Sequence, residues 1–247
     1  MASTSRPRSI SPRASRLAAR LKRLAARYGS IKSIAPREPF ELLLWEYVAY
    51  LTDDADRASA FARLRAEVGV TPAAILGARP AKLRAICRSG GSIGVAIRAD
   101  RLRVAAERVR GEFGGTLRDV LRRPYPDARR ILSSFPAIGP PGADKILLLT
   151  KARAVLWLDS NALRVLQRLG IAREAKSYSA SHRNAQEAGA AQLNPSHAAM
   201  LQASLLLRRH GQDVCRRTRP LCFECPLRDA CPSAESAQVI SARGAGR

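Results

Sequence analysis

The chain has 247 residues, 46% of them hydrophobic but only 5% aromatic, enough for one large domain or two small ones; alanine in place of β-branched runs favours helices. Its 43 basic residues against 20 acidic ones give a formal net charge of +23, which repels itself in a compact fold and points to a polyanion, nucleic acid before an anionic membrane surface. No segment reaches the roughly 18 uninterrupted apolar residues of a membrane helix, which excludes a helical membrane span.

The first 37 residues hold no acid and are rich in Arg and Ser. Residues 1–14 read as a disordered basic arm, a composition that organellar transit peptides share. From Ser15 onward Leu17, Leu21, Leu24 and Tyr28 recur on one helical face, opposite Arg and Lys, and Gly29 closes the helix. Residues 15–37 thus form an N-terminal helix and a short loop. Phe40 to Leu51 predicts a buried helix interrupted only by Glu41 and Glu46. Residues 53–68 predict an amphipathic helix with Phe61, Leu64 and Val68 inward. Thr71-Pro72 marks an N-cap and first turn. A Gly/Ser loop over 89–94 precedes a helix from Ile97 to Phe113, which Gly114-Gly115 stops. One or two short helices span 116–134. The run Phe135-Pro136-Ala137-Ile138-Gly139 predicts a tight hairpin, and a helix follows to about Lys151. Val155 to Leu158 leads into a helix over 160–169. Residues 172–195 are polar and Ala-rich, with no element assigned. The last long helix runs from Ser196 to His210, and residues 233–247 read as a disordered tail. With no strand pair in evidence, the fold class is all-α.

Cys87 stands alone and reads as a small buried apolar residue. The other four cysteines crowd together as Cys215-x6-Cys222-x2-Cys225-x5-Cys231. In a basic chain without secretory features such clustering points to metal rather than to disulfides. Four thiolates suit either tetrahedral zinc or an iron–sulfur cube. A single C-x2-C flanked by lone cysteines differs from the paired knuckles of a zinc ribbon and favours the cube. Arg216, Arg217 and Arg219 lie between the first two ligands and offer a basic surface to phosphate.

The cysteine spacing, with His210-Gly211-Gln212-Asp213-Val214 before it, resembles the iron–sulfur loop of the endonuclease III and adenine mismatch glycosylase family. The hairpin Phe135–Gly139 resembles that family's helix-hairpin-helix, whose backbone N–H groups grip a DNA phosphate. Leu158-Asp159-Ser160-Asn161-Ala162-Leu163-Arg164-Val165 resembles the segment that carries its catalytic aspartate, so the resemblance places that role on Asp159; an N-cap role for Asp159 is compatible with it. Pro39-Phe40-Glu41-Leu42-Leu43 resembles the family's opening helix. Glu46 then falls where the mismatch glycosylases carry a glutamate, and Tyr50 and Leu51 fall where endonuclease III has the residue that fills the gap left by an extruded base. A glutamate in an apolar helix is costly when charged and unpaired, which suits a general acid; the alternative is a Glu partly exposed at a helix edge or paired with an arginine.

Two departures matter. Pro141 stands where strand-cleaving members have a nucleophilic lysine, so lyase activity is not expected; Lys145, one turn on, does not match the motif. Pro140 and Pro141 also remove two N–H donors from the phosphate grip. Adenine mismatch enzymes read oxidised guanine with a further C-terminal domain; with sixteen residues after Cys231 in this sequence, that specificity is not expected. The resemblance implies two helical subdomains flanking a DNA cleft: a helical barrel over 38–151 ending in the hairpin, and a cluster domain over 152–232 joined by the N-terminal helix. It implies a monomeric, cytoplasmic, nucleoid-associated base-excision glycosylase without lyase activity. The substrate would be double-stranded DNA with a damaged or mismatched base, and Cys215, Cys222, Cys225 and Cys231 would hold a [4Fe–4S] cluster. The alternative is a non-catalytic binder of distorted DNA with the same fold and cluster.

Overall fold

The computed structural model describes residues 15–234; the basic arm and all but the first two residues of the tail lie outside the described residues. Among them there is no strand, and the protein is all-helical. They divide into two compact units, one of residues 33–153 and one of residues 15–32 with 154–234.

The chain opens with α1 (Ser15–Tyr28), a member of the second unit. The first unit follows as α2 (Pro39–Val48), α3 (Asp54–Glu67), α4 (Pro72–Gly77), α5 (Pro80–Ser89), α6 (Val95–Glu112), α7 (Arg118–Arg122), α8 (Tyr125–Ser133) and α9 (Gly139–Leu149). Side chains set several of the starts. Glu38 caps α2 by accepting from the Glu41 N–H, Asp53 caps α3 through Asp56, and Thr71 caps α4 through Ala74. Each such bond is worth about 1 kcal/mol. At the centre lies α2, with Phe40, Leu42, Leu43, Leu44, Trp45, Tyr47 and Val48 all buried, and it touches α3, α5, α6 and α9. Burying side chains of this size gives roughly 1.5–3 kcal/mol each.

The helix expected to reach Leu51 stops at Val48, and Ala49 is extended. Two guanidiniums account for the stop. Arg57 donates to the Trp45 and Ala49 carbonyls at 2.8 and 3.0 Å, and buried Arg98 donates to the Val48 carbonyl at 2.6 Å. The Tyr50 N–H then turns away to the Gly90 carbonyl at 3.0 Å. Gly90 has to be glycine, because a Cβ there would stand 2.8 Å from Ala49 Cα.

The second unit continues with α10 (Ser160–Arg168), α11 (Tyr178–Ala190) and α12 (His197–Asp213). Two single 3-10 turns follow, at Cys222–Glu224 and Arg228–Ala230. α12 packs against α10 and also against α1. Leu17, Leu24, Leu156, Leu158, Leu163, Leu166, Leu206 and Leu207 supply the core. Gly211 lets α12 approach α10, since a Cβ there would meet Asn161 backbone at 2.7 Å. The stretch left unassigned over 172–195 contains α11. Ser177 caps it, and its inward positions include Ser181, His182, Ala185 and Gly189, too small and polar to show an apolar period.

Candidate active site and cysteine loop

The hairpin after α8 turns on two left-handed residues, Ala137 (φ 61°) and Gly139 (φ 55°). Its expected DNA-contacting residues divide. Ala137 is exposed, Pro136 and Gly139 are half-buried, and Phe135 and Ile138 are buried in the core. Those two side chains anchor the turn and do not face solvent; Arg108 stacks over the Phe135 ring, 4.4 Å from its centroid. Pro140 and Pro141 occupy the first turn of α9 and contribute no N–H. The Ile138 and Gly142 N–H groups are spent on the Phe135 and Ile138 carbonyls. The backbone candidates for an anion are the amides of Ala137 and Gly139.

Glu46 does not stand as a lone acid in an apolar helix; its partner is a lysine. Lys145 of α9 donates to its Oε1 at 2.5 Å, and the two side chains keep 14% (Lys145) and 25% (Glu46) of their surface exposed. The residue that the motif left unplaced is thus a charge partner of the candidate acid. Near α2's end, Tyr50 and Leu51 are exposed, with Leu51 held at φ 50°. Sequence reasoning missed Arg98 there. Besides Val48 it binds the Ile93 carbonyl at 3.0 Å and the Gly91 carbonyl, tying the Tyr50–Leu51 turn to the glycine loop that carries exposed Ile93.

Asp159 lies at the start of α10 and caps it. Its Oδ1 accepts from the Ala162 N–H at 2.8 Å, and its Oδ2 faces Arg208 at 3.1 Å and the Asn161 amide at 3.3 Å. The carboxylate is therefore fixed in direction by a backbone bond and matched by a cation. Behind it, the buried His182 imidazole donates from Nε2 to the Leu158 carbonyl at 2.9 Å, because a carbonyl only accepts. Exposed Tyr178 packs on His182. Partial burial raises the Tyr178 phenol, and the charge of Asp159 adds to the shift, which puts an unforeseen aromatic ring within electrostatic reach of the carboxylate.

All four loop cysteines, Cys215, Cys222, Cys225 and Cys231, line one cavity of about 730 Å³. Among the described residues no group of three or more His, Cys, Asp or Glu converges closely enough to hold a single metal ion. The cavity wall also carries cations. Arg168 reaches the Cys215 sulfur at 3.4 Å and the Arg216 and Arg217 carbonyls at 2.7 and 3.2 Å. Those bonds fix the loop that carries exposed Arg216, Arg217 and Arg219, of which Arg217 and Arg219 also line the cavity. His210 lines the same cavity; burial, with the charge of Arg27 adding, pushes its imidazole down to about 4, so it is neutral at pH 7. Burial also pushes the Cys225 and Cys231 thiols up. Cys87 is a buried core residue whose thiol is pushed up to about 11 for the same reason.

A helical fold with this hairpin and a carboxylate-capped helix after it defines the class of the protein. The chain belongs to the HhH-GPD superfamily of base excision DNA repair proteins, whose model matches residues 52–190. Among solved structures it is similar to an endonuclease III trapped as a covalent intermediate on DNA in an estranged-adenine complex (TM-score 0.74, 19% identity, covering 91% of this chain and 98% of that one). It is similar to a non-covalent endonuclease III–DNA complex (TM-score 0.73, 19%, 92% and 98%). A thermostable thymine-DNA glycosylase is a third neighbour (TM-score 0.69, 16%, 91% and 97%). At these identities the likeness is one of fold. No curated protein matches by sequence.

Proposed function

We propose that the protein is a DNA glycosylase that hydrolyses the N-glycosidic bond of a damaged or mismatched base in double-stranded DNA and leaves the strand uncut. The observation that carries this reading is Asp159, a carboxylate fixed at the start of α10 by the Ala162 N–H in a chain of the base-excision superfamily. Cleavage of the bond builds positive charge on the sugar. A preorganised carboxylate stabilises that charge at no cost of reorganisation as the bond breaks. The departing base needs a proton, and the attacking water must lose one. Glu46 and Lys145, joined at 2.5 Å, are the candidates for moving them. Pro141 supplies no amine, so no Schiff base is assigned to that position and the product is an intact abasic strand.

Cys215, Cys222, Cys225 and Cys231 would hold the [4Fe–4S] cluster. Four thiols around one cavity that is roomier than a single ion requires support the assignment. When bound, the cluster supplies a rigid fastening rather than a reactive group, and it would present Arg216, Arg217 and Arg219 to phosphates. Tyr50 and Leu51 would fill the space of the extruded base, and the amides of Ala137 and Gly139 would take a phosphate.

A non-catalytic DNA-structure binder is the second reading. Two observations favour it: the missing N–H donors at Pro140 and Pro141, and Arg208 matching the charge of Asp159. Asp159→Asn separates the two readings, because asparagine keeps the N-cap while losing the charge. On a lesion duplex from which the wild type releases base, single-turnover cleavage should fall by roughly 10²–10³-fold, with DNA affinity kept within about threefold. Unchanged turnover in this variant removes Asp159 from the chemistry.

A further inference from the structure

His210 is buried in α12 between two partners. Its Nδ1 lies 3.1 Å from the Tyr28 hydroxyl, and its Nε2 lies 3.5 Å from the Cys225 sulfur. Tyr28 arrives there because α1 is fastened to the cysteine loop. Arg20 donates to the Leu169 and Ala230 carbonyls at 3.0 and 2.6 Å, Arg23 clasps both oxygens of Asp229 at 3.0 and 2.6 Å, and Arg27 donates to the Glu224 carbonyl at 2.9 Å. Three of those partners lie between Cys222 and Cys231. Nothing in the glycosylase reading uses this clasp or the imidazole it serves.

The direction of the hydrogen bonds follows from elementary counting. An imidazole nitrogen that faces an acceptor has to carry the proton. A thiolate bound to iron has no proton and only accepts. The N–H must then sit on Nε2 and point at the Cys225 sulfur, which leaves Nδ1 to accept the Tyr28 O–H. Hydrogen bonds to cluster sulfurs are among the features that set a cluster's reduction potential. They strengthen as the sulfur gains negative charge, so they favour the reduced form.

We propose that Tyr28 and His210 are positioning residues for the cluster, a relay from α1 through the imidazole to the Cys225 sulfur that raises the cluster's reduction potential. The proposal rests on the cluster reading above. One electron enters, no bond breaks and no proton leaves the relay. The Leu227 N–H also points at the same sulfur, at 3.4 Å; as a backbone donor it stays in place when the relay is cut.

The test uses the full chain, with iron and sulfide content measured first and the potential then read by electrochemical titration of the absorbance near 400 nm. Tyr28→Phe keeps the ring and removes the hydroxyl; His210→Phe removes the N–H itself. Both should shift the potential to more negative values, His210→Phe further, by about a tenfold change in the reduced-to-oxidised ratio, or ~59 mV for one electron. A purely structural role would change iron retention and leave the potential of the loaded fraction in place. Wild-type potentials in variants with full iron content overturn the relay. If His210→Phe holds no iron, Tyr28→Phe alone decides. A wild-type chain with neither iron nor sulfide overturns the cluster reading and the relay together, while base release judges the glycosylase reading separately.

Discussion

At Glu46 an acid stands in a helix whose other side chains are nearly all buried. Lys145 makes that placement tolerable, and the pair is asymmetric in its consequences. Lys145→Met takes one charge partner from a half-buried carboxylate and should destabilise the fold by about 1–3 kcal/mol. That is less than a fully buried pair would lose, because Glu46 keeps a quarter of its side chain in solvent. The double variant Glu46→Gln, Lys145→Met should recover most of the loss, and urea unfolding of the three chains measures both effects. An additive double variant would mean that the two side chains do not interact. The pairing could not be read from the sequence, since the partners are 99 positions apart and neither lies in a recognisable spacing. Asp159 was legible for the opposite reason. Its role is local: a carboxylate three residues before the Ala162 N–H is a cap wherever a helix begins. Its Arg208 partner, on another helix, was not.

Among the elements, those with side-chain caps or strong apolar period could be read in advance. α1 buries Leu17 and Leu24 on the face that periodicity names, and α4 begins at Thr71-Pro72 as its cap dictates. Elements decided by tertiary contact could not. α11 carries small and polar residues inward, and α2 ends where guanidiniums from α3 and α6 take its carbonyls. That junction makes a stability prediction with an internal control. Gly90→Ala should destabilise by about 1–3 kcal/mol, because the new methyl meets the Val48–Ala49 backbone and backbone yields less than a side chain. Gly77→Ala, at the end of α4 with nothing within 4 Å, should be neutral or stabilising by up to about 1 kcal/mol. Thermal unfolding distinguishes the two, and equal effects would contradict the close approach of Gly90 to the end of α2.

For the whole molecule, a net charge of +23 makes phosphate contact the dominant source of affinity and ties it to salt concentration. The helical class, the hairpin and the order of the cysteines were legible because each rests on spacing within a few residues. The shape of the cysteine cavity was not, because Val165, Arg168 and Leu169 line it from the end of α10, well upstream of the cysteine loop. The central proposal is that a basic chain of this fold attaches to DNA and that Asp159 turns attachment into hydrolysis. It is tested most directly by incubating the protein with a panel of duplexes, each with one damaged or mismatched base, and separating free bases from strands. The account predicts release of a free base from at least one duplex, with the abasic strand uncut until alkali is added. Binding to the whole panel with no base released, or strand scission without alkali, would contradict it.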